Sequence, residues 1–256
     1  MSPPSSTVLR LAGAAKGRFG SAPFAVLPVG SIEFHGPNAA FGTDSTLAAG
    51  FAERLAATRD CLVFPPVHYS FVPRLTRDHG PAVSIAPAVF LAYLTEVLGG
   101  IVATGVDRLL VINGHSENQY SLRLAAEQVT AAAPSASVLL CNWWRLAPAG
   151  LFEDADGHGH GGPLEISTAA SFDAGGVELA PDVTADIGYE APWWRSAAQV
   201  VGRGQAPAGF SGYHGSISEV DLNKGATIVD TVTRELLRLV DDWLERAATQ
   251  SRPADS

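Results

Sequence analysis

Cysteine, methionine and lysine are all scarce in this chain. The two cysteines, Cys61 and Cys141, stand far apart in apolar stretches and form no CxxC pair. That argues against a disulfide scaffold, and both thiols are expected to pack as small hydrophobes. Lysine occurs only at Lys16 and Lys224, so arginine carries nearly all of the positive charge. With Lys+Arg 17 against Asp+Glu 26, the formal net charge is −9. No Lys/Arg cluster is present to neutralise phosphates, which sets nucleic acid aside as a partner. An acidic surface would also be repelled by an anionic membrane face. No run of roughly 18 apolar residues occurs, so no transmembrane helix is expected. Residues 1–7 are Ser/Pro-rich and lack the basic and apolar regions of a signal peptide. The expected location is the cytoplasm.

What is present suits a single sizeable domain. The chain has 256 residues, 46% of them hydrophobic and 17% charged, which is ample material for a core. Residues 1–8 and 251–256 read as disordered tails flanking one domain over 9–250. Short apolar runs at Phe24–Gly30, Cys61–Val67, Arg108–Ile112 and Ser137–Cys141 predict buried parallel strands. Helical spacing of apolar residues predicts helices over Ser45–Ala57, Ala88–Thr104, Ser121–Ala132 and Thr227–Ala247. A further helix is expected from Pro163 to Phe172, opening on a proline at its first turn. Asp44 is the expected N-cap of the first helix. Strands alternating with helices imply an α/β fold: a three-layer α/β/α sandwich around a mostly parallel sheet. Sites in such sheets form beyond the carboxyl ends of the strands.

Chemistry-bearing residues collect at those ends. The first strand runs into Gly30-Ser31-Ile32-Glu33-Phe34-His35-Gly36-Pro37. In extended chain, residues two apart point to the same side, so Glu33 and His35 would face one space. The third strand ends in Asn113-Gly114-His115-Ser116-Glu117-Asn118, a second His/Glu pair two apart. Asp44 lies just before a helix and could serve as a cap or bridge two cations. A Gly-rich segment, Asp156-Gly157-His158-Gly159-His160-Gly161-Gly162-Pro163-Leu164-Glu165, brings two more histidines and two more acids. Glu165 would fall in a first helical turn, where an acid favours the helix N-terminus. His160 could carry protons near neutral pH. This nitrogen-and-oxygen set suffices for two divalent ions sharing a carboxylate, and it suits Zn or Mn.

Taken together, these pieces resemble the creatininase family. The matching motifs are Leu27-Pro28-Val29-Gly30-Ser31-x-Glu33-x-His35-Gly36-Pro37, Thr43-Asp44, Asn113-Gly114-His115-x-x-Asn118 and His160-Gly161-Gly162-x-x-Glu165-x-Ser167, in that order. The resemblance implies a metal-dependent amidohydrolase with a dinuclear Zn or Mn centre and a small-molecule substrate, assembled as a homo-oligomer, with a hexamer as one form. By position, Glu33 and His115 would hold one ion, His35 the other, and Asp44 would bridge them. Glu117 is the expected sixth ligand, with Glu165 nearby as a ligand or acid/base group, and His160 would relay a proton to the leaving nitrogen. Ser116, Asp156 and His158 are the candidates for shaping the substrate pocket. Ser116 stands where creatininase has an aromatic residue, and Asp156-Gly157 stand where it has Trp-Asp, which points away from creatinine. Asn38 replaces the histidine usual after His-Gly-Pro.

Other readings follow from the same residues. Relatives within the family act as deformylases and as peptidases in biosynthetic pathways. A non-hydrolytic ligand-binding or cyclising protein on the same fold is a different class. Trp143, Trp144, Trp193 and Trp194 could line a pocket or pack in the core.

Overall fold

In a computed structural model of the chain, the described residues are 7–8, 17–152, 159–178, 210, 212–214 and 217–250. Among these residues, five parallel strands form one sheet: β1 (Thr7–Val8), β2 (Ala25–Val29), β3 (Leu62–Val63), β4 (Arg108–Asn113) and β5 (Ser137–Asn142). Their order is β1-β3-β2-β4-β5. Between them run helices α1 (Thr43–Ala56), α2 (Arg74–Arg77), α3 (Pro87–Ala103) and α4 (Asn118–Ala132). After β5 come a short 3-10 turn at Trp143–Leu146, α5 (Pro163–Phe172) and the closing α6 (Leu222–Gln250).

The two-residue period of a strand divides the core. Val26, Leu110 and Ile112 point to one face, where Leu47, Phe51 and Leu55 of α1, Leu164 of α5 and Ile228, Val232 and Leu236 of α6 cover them. Ala25, Leu27, Val29, Leu109 and Val111 point to the other, against Phe90, Leu94 and Leu98 of α3 and Leu122, Ala125 and Val129 of α4. The result is the expected three-layer α/β/α arrangement. On the first face Phe51 stacks on Trp143 (5.5 Å between centroids, 28°) and meets Phe172 edge-on (5.0 Å, 83°). Aromatic pairs of this kind add about 0.5–1.5 kcal/mol each beyond their buried area. Cys61 and Cys141 are buried free thiols, as expected, and burial pushes both up to about 12.

Three local readings need correction. Thr7 and Val8, assigned to the tail, pair with Leu62 and Val63 and extend the sheet. The second strand is shorter than Cys61–Val67, because Pro65 and Pro66 have no N–H to give to the ladder. Pairing resumes at Val67, whose N–H donates to Pro28 O (3.0 Å). The closing helix starts before Thr227, because Asp221 just ahead of it accepts from the N–H groups of Asn223 (2.7 Å) and Lys224 (3.3 Å). The 251–256 segment lies outside the described residues.

The topology also marks where a site can form. From β2 the chain crosses by α1 on one face to β3, then returns by α3 on the other face to β4. β3 and β4 thus flank β2 on opposite sides. A crevice opens where the direction of winding reverses, beyond the carboxyl ends of β2 and β4. The Glu33/His35 and His115 segments emerge at that point.

Candidate metal centre

Two glycines let the first turn of α1 press onto the strand ends. A Cβ on Gly30 would lie 2.4 Å from Ser45 N, and one on Gly114 would lie 2.1 Å from Asp44 O. No side chain fits either place. Gly114 N–H continues the ladder to Val29 O (2.8 Å), and Asn118 Nδ2 donates to Gly30 O (2.9 Å). Asn113 accepts from His115 N–H (3.1 Å) and donates to Asn142 Oδ1 (2.8 Å). The asparagines of the third motif therefore tie strand ends together.

Asp44 is not the N-cap of its helix. Gly42 holds that position, and no side chain caps it. Asp44 instead sits in the first turn, buried, with its carboxylate turned into the crevice. Its Oδ1 lies 3.1 Å from His35 Nε2 and its Oδ2 lies 3.1 Å from His115 Nδ1. Ser31 Oγ donates to Oδ2 as well (2.5 Å). On the far side, His115 Nδ1 also approaches Glu33 Oε2 (2.9 Å).

The three histidines share one arrangement. His35 Nδ1 faces Glu33 O (2.9 Å), His115 Nε2 faces Phe71 O (3.1 Å) and His160 Nε2 faces Phe34 O (2.6 Å). A carbonyl can only accept, so each of these nitrogens carries a proton. The other nitrogen of each ring then offers a lone pair, and each points at carboxylate oxygen. At His35 and His115 the two electron-rich atoms lie about 3 Å apart and need a cation between them, either a proton or a metal ion. Outward hydrogen bonds of this kind are how metal-binding histidines are oriented.

Electrostatics follow the same geometry. Burial works against the charged form of His35, but Asp44 and then Glu165 outweigh it and hold this histidine well above its usual value. Burial likewise opposes charge on His115, and Glu33 with Asp44 prevails, again raising it well above the usual value. Burial would lift Asp44, yet His35 and His115 keep it well below the usual carboxylate range. Glu33 is brought down to about 2 by His115 and His160 against the same burial.

Among the described residues, three groups could hold a cation: Glu33/Asp44/His115, His35/Asp44/Glu165 and Glu33/His35/His160. Asp44 belongs to two of them. The donor set fits a pair of divalent ions: it is all nitrogen and oxygen, and Glu33 Oε2 is buried without a hydrogen bond to satisfy it. Glu165 Oε1 lies 3.7 Å from His35 Nε2, while its Oε2 accepts from Gly161 N–H (2.8 Å). One carboxylate thus supports the start of α5 and also faces the crevice. Glu117, the expected sixth ligand, joins none of the three groups. It adopts helical backbone at φ −69°, ψ −18° just ahead of α4. The same-side rule for residues two apart holds for extended chain and does not carry from His115 to Glu117. Burial raises the Glu117 carboxyl, with His115 opposing.

His160 stands at the rim, half-buried, its ring 4.4 Å from that of His35 and its Nδ1 3.7 Å from Glu33 Oε2. Beside it opens a pocket of about 70 Å³, lined by Ser116, Trp143, Trp144, His160, Leu164 and Glu165 among others. Trp143 is therefore both core and pocket wall, and Trp144 is half-buried at the same wall. Asp156, His158, Trp193 and Trp194 lie outside the described residues. Sequence reasoning gave no role to Ser31, to the Phe71 carbonyl or to Thr76, whose Oγ1 donates to Glu33 Oε1. Ser31 stood within a quoted motif. Nothing local to Phe71 or Thr76 signals their part.

A chain with this sheet and this cluster at its switch point falls in the class of α/β proteins with an acid- and histidine-built metal centre. The family model described as Creatininase: Creatinine amidohydrolase matches residues 13–240, and the chain belongs to the creatininase family. It is 35% identical over 92 residues to the 3-dehydro-scyllo-inosose hydrolase of Thermotoga maritima, covering 36% of this chain and 30% of that protein. It is 31% identical over 145 residues to the mycofactocin precursor peptide peptidase of Mycolicibacterium smegmatis, covering 54% of each. The matched stretch thus spans about half or less of these curated relatives. Among solved structures, a creatinine amidohydrolase (creatininase) superposes with a TM-score of 0.75 at 20% identity over 94% of this chain and 98% of that one. A creatininase described as Mn (TM-score 0.71, 20%, 93% and 99%) and a mutant creatininase described as Zn-Zn type (0.73, 19%, 93% and 98%) have the same fold.

Proposed function

We propose that this chain is a hydrolase of an amide-type C–N bond in a small molecule, working with two divalent ions. The observation that carries this reading is Asp44, whose two oxygens face two different histidines from a buried position. Glu33 and His115 would complete one site beside it, and His35 with Glu165 the other. Zn and Mn, the metals named for the two creatininase structures, suit this donor set. Bound there, such ions supply Lewis acidity toward a carbonyl and lower the pKa of water.

The remaining work falls to side chains. His160 Nε2 is committed to Phe34 O, so its free Nδ1 is the atom that would take a proton from the site and return it to the leaving nitrogen. Trp144 and Ser116 would bear on the substrate at the mouth of the pocket. Among the described residues, no Lys or Arg lines that pocket, a lining that suits an uncharged amide. The space inside it is small, about 70 Å³, which suits a compact cyclic amide or similar compound better than a peptide. The peptidase and deformylase readings, and a cyclising or binding role without hydrolysis, are outcomes of the same test.

We also infer a homo-oligomer, with a hexamer as one form, and a cytoplasmic setting. Tyr120 and Leu124 on the outer side of α4 are each 54% exposed. They flank a largely apolar groove with Leu140 of the edge strand β5, a face suited to a second copy.

The first test is elemental analysis of chain purified without added metal, followed by a screen of small cyclic and linear amides before and after chelation. About two ions per chain, with turnover that follows them, is the expected result. Negligible uptake of Zn or Mn even after soaking would overturn the reading and favour the binding protein.

A further inference from the structure

The segment between β3 and α3 was silent in the sequence, yet it supplies one wall of the centre. Phe71 O fixes the His115 ring, and α2 carries Thr76 to the opposite side of Glu33. Thr76 is buried, at 2% exposure, although its neighbours Arg74 and Arg77 are exposed. Its hydroxyl has one proton to give. Pro73 O, within its own turn, is 3.3 Å away. Glu33 Oε1 is much nearer and is a full anion, so the charge-assisted bond takes that proton.

This has a consequence for Glu33. Its carboxylate is buried with two oxygens that meet different fates. Oε1 accepts from Thr76. Oε2 accepts no hydrogen bond and faces His115 and His160. The hydroxyl therefore selects which oxygen is left for a cation. Asp44 has a different guard, the Ser31 hydroxyl on Oδ2. Among the described residues, the Thr76 hydroxyl hydrogen-bonds to Glu33 and within its own turn, and to neither Asp44 nor the His35/Glu165 side. Its direct effect falls on the Glu33 carboxylate.

We propose that Thr76 is a positioning residue for the Glu33/His115 ion, setting the affinity of one metal site independently of the other. The proposal rests on the dinuclear reading above. The test is titration of metal-free wild type, Thr76→Val and Thr76→Ser with Zn²⁺ against a competing chelator. Thermal unfolding of each variant in excess Zn²⁺ confirms that it folds. Thr76→Val is expected to bind one ion as wild type does and the second roughly 10- to 100-fold more weakly. Thr76→Ser, which keeps the hydroxyl, is expected to restore two-site binding. A merely structural role would be met by the isosteric valine and would not separate the two sites. The proposal is overturned if Thr76→Val binds both ions with wild-type affinity, or weakens both equally, or if Thr76→Ser fails to rescue. Wild type that takes up no Zn²⁺ would sink the metal reading itself, a result distinct from any of these. Should Thr76→Val not fold, Thr76→Ala in the same titration carries the same expectations.

Discussion

Gly114 lies so close to Asp44 that a side chain at 114 would occupy the space of the Asp44 carbonyl, with a Cβ 2.1 Å from its oxygen. Strand β4 and the first turn of α1 are in backbone contact there, and this contact places the shared carboxylate. Gly114→Ala should therefore cost stability and metal together. Overpacking of a rigid contact costs about 1–3 kcal/mol, and the shift should fall on Asp44. Gly100 is a useful contrast, since it lies within α3 with nothing within 4 Å of an added Cβ. Gly100→Ala should stabilise by about 0.5–1 kcal/mol and leave ion content unchanged. Denaturant midpoints and bound metal for both variants check the pair of outcomes.

How far the sequence could be read follows from the range of the forces involved. Strand runs and helix faces were legible because burial on both sides of a sheet imposes a local period. Glu33, His35, Asp44 and His115 were legible because each follows a strand or opens a helix at a spacing the chain geometry explains. The choice between Glu117 and Glu165 was not, because it turns on backbone conformation after Gly114, where the extended pattern stops. Thr76 and the Phe71 carbonyl were invisible for a different reason. They reach Glu33 and His115 across 43 and 44 residues, from a segment with no motif of its own. Asn113 and Asn118 looked like turn residues and proved to be ties between strand ends.

The two glutamates make the clearest test of ligand identity. Glu165 shares a group with His35 and Asp44, and Glu117 shares none. Glu165→Gln should lower bound metal from about two ions per chain toward one. Glu117→Gln should keep both. The reverse pattern would restore Glu117 as the ligand. Glu165 also accepts from Gly161 N–H, but glutamine retains an acceptor oxygen. A loss of metal in Glu165→Gln would thus report on charge and not on a lost cap.

Acid–base linkage gives a prediction for the metal-free chain. His35 and His115 are raised well above the usual histidine value, so their contribution is full below about pH 6.5 and is lost as pH climbs through their folded values. Glu33, at about 2, and Asp44, also lowered, contribute above about pH 4 and lose that contribution as pH falls. The metal-free Tm should therefore decline from near neutrality upward. Added Zn²⁺ should reverse the decline, because an ion replaces the protons those histidines would otherwise have to hold. The same exchange predicts proton release on binding, growing smaller as pH rises. Calorimetry in buffers of different ionisation enthalpy measures it directly. Identical heats in all buffers would mean that the histidines already hold no protons there.

His160 allows the proton-carrying role to be separated from metal ligation. It belongs to the third group, with Glu33 and His35, yet it is half-buried where they are fully buried. Its Nε2 proton is tied to Phe34 O at 2.6 Å, leaving Nδ1, 3.7 Å from Glu33 Oε2, as the free nitrogen at the site. A ligand and a proton carrier both need that lone pair, so geometry alone admits either. The rim position favours transfer, because a proton carrier must reach the substrate nitrogen as well as the site. His160→Ala should then keep about two ions per chain and lose roughly 10²- to 10⁴-fold in kcat on whichever amide the screen returns. The loss should be greatest for substrates whose leaving nitrogen most needs protonation, and small for amides with acidic leaving groups. If metal content falls with turnover, His160 is a ligand, and the proton would have to come from another group at the pocket, such as Glu165, which lines it.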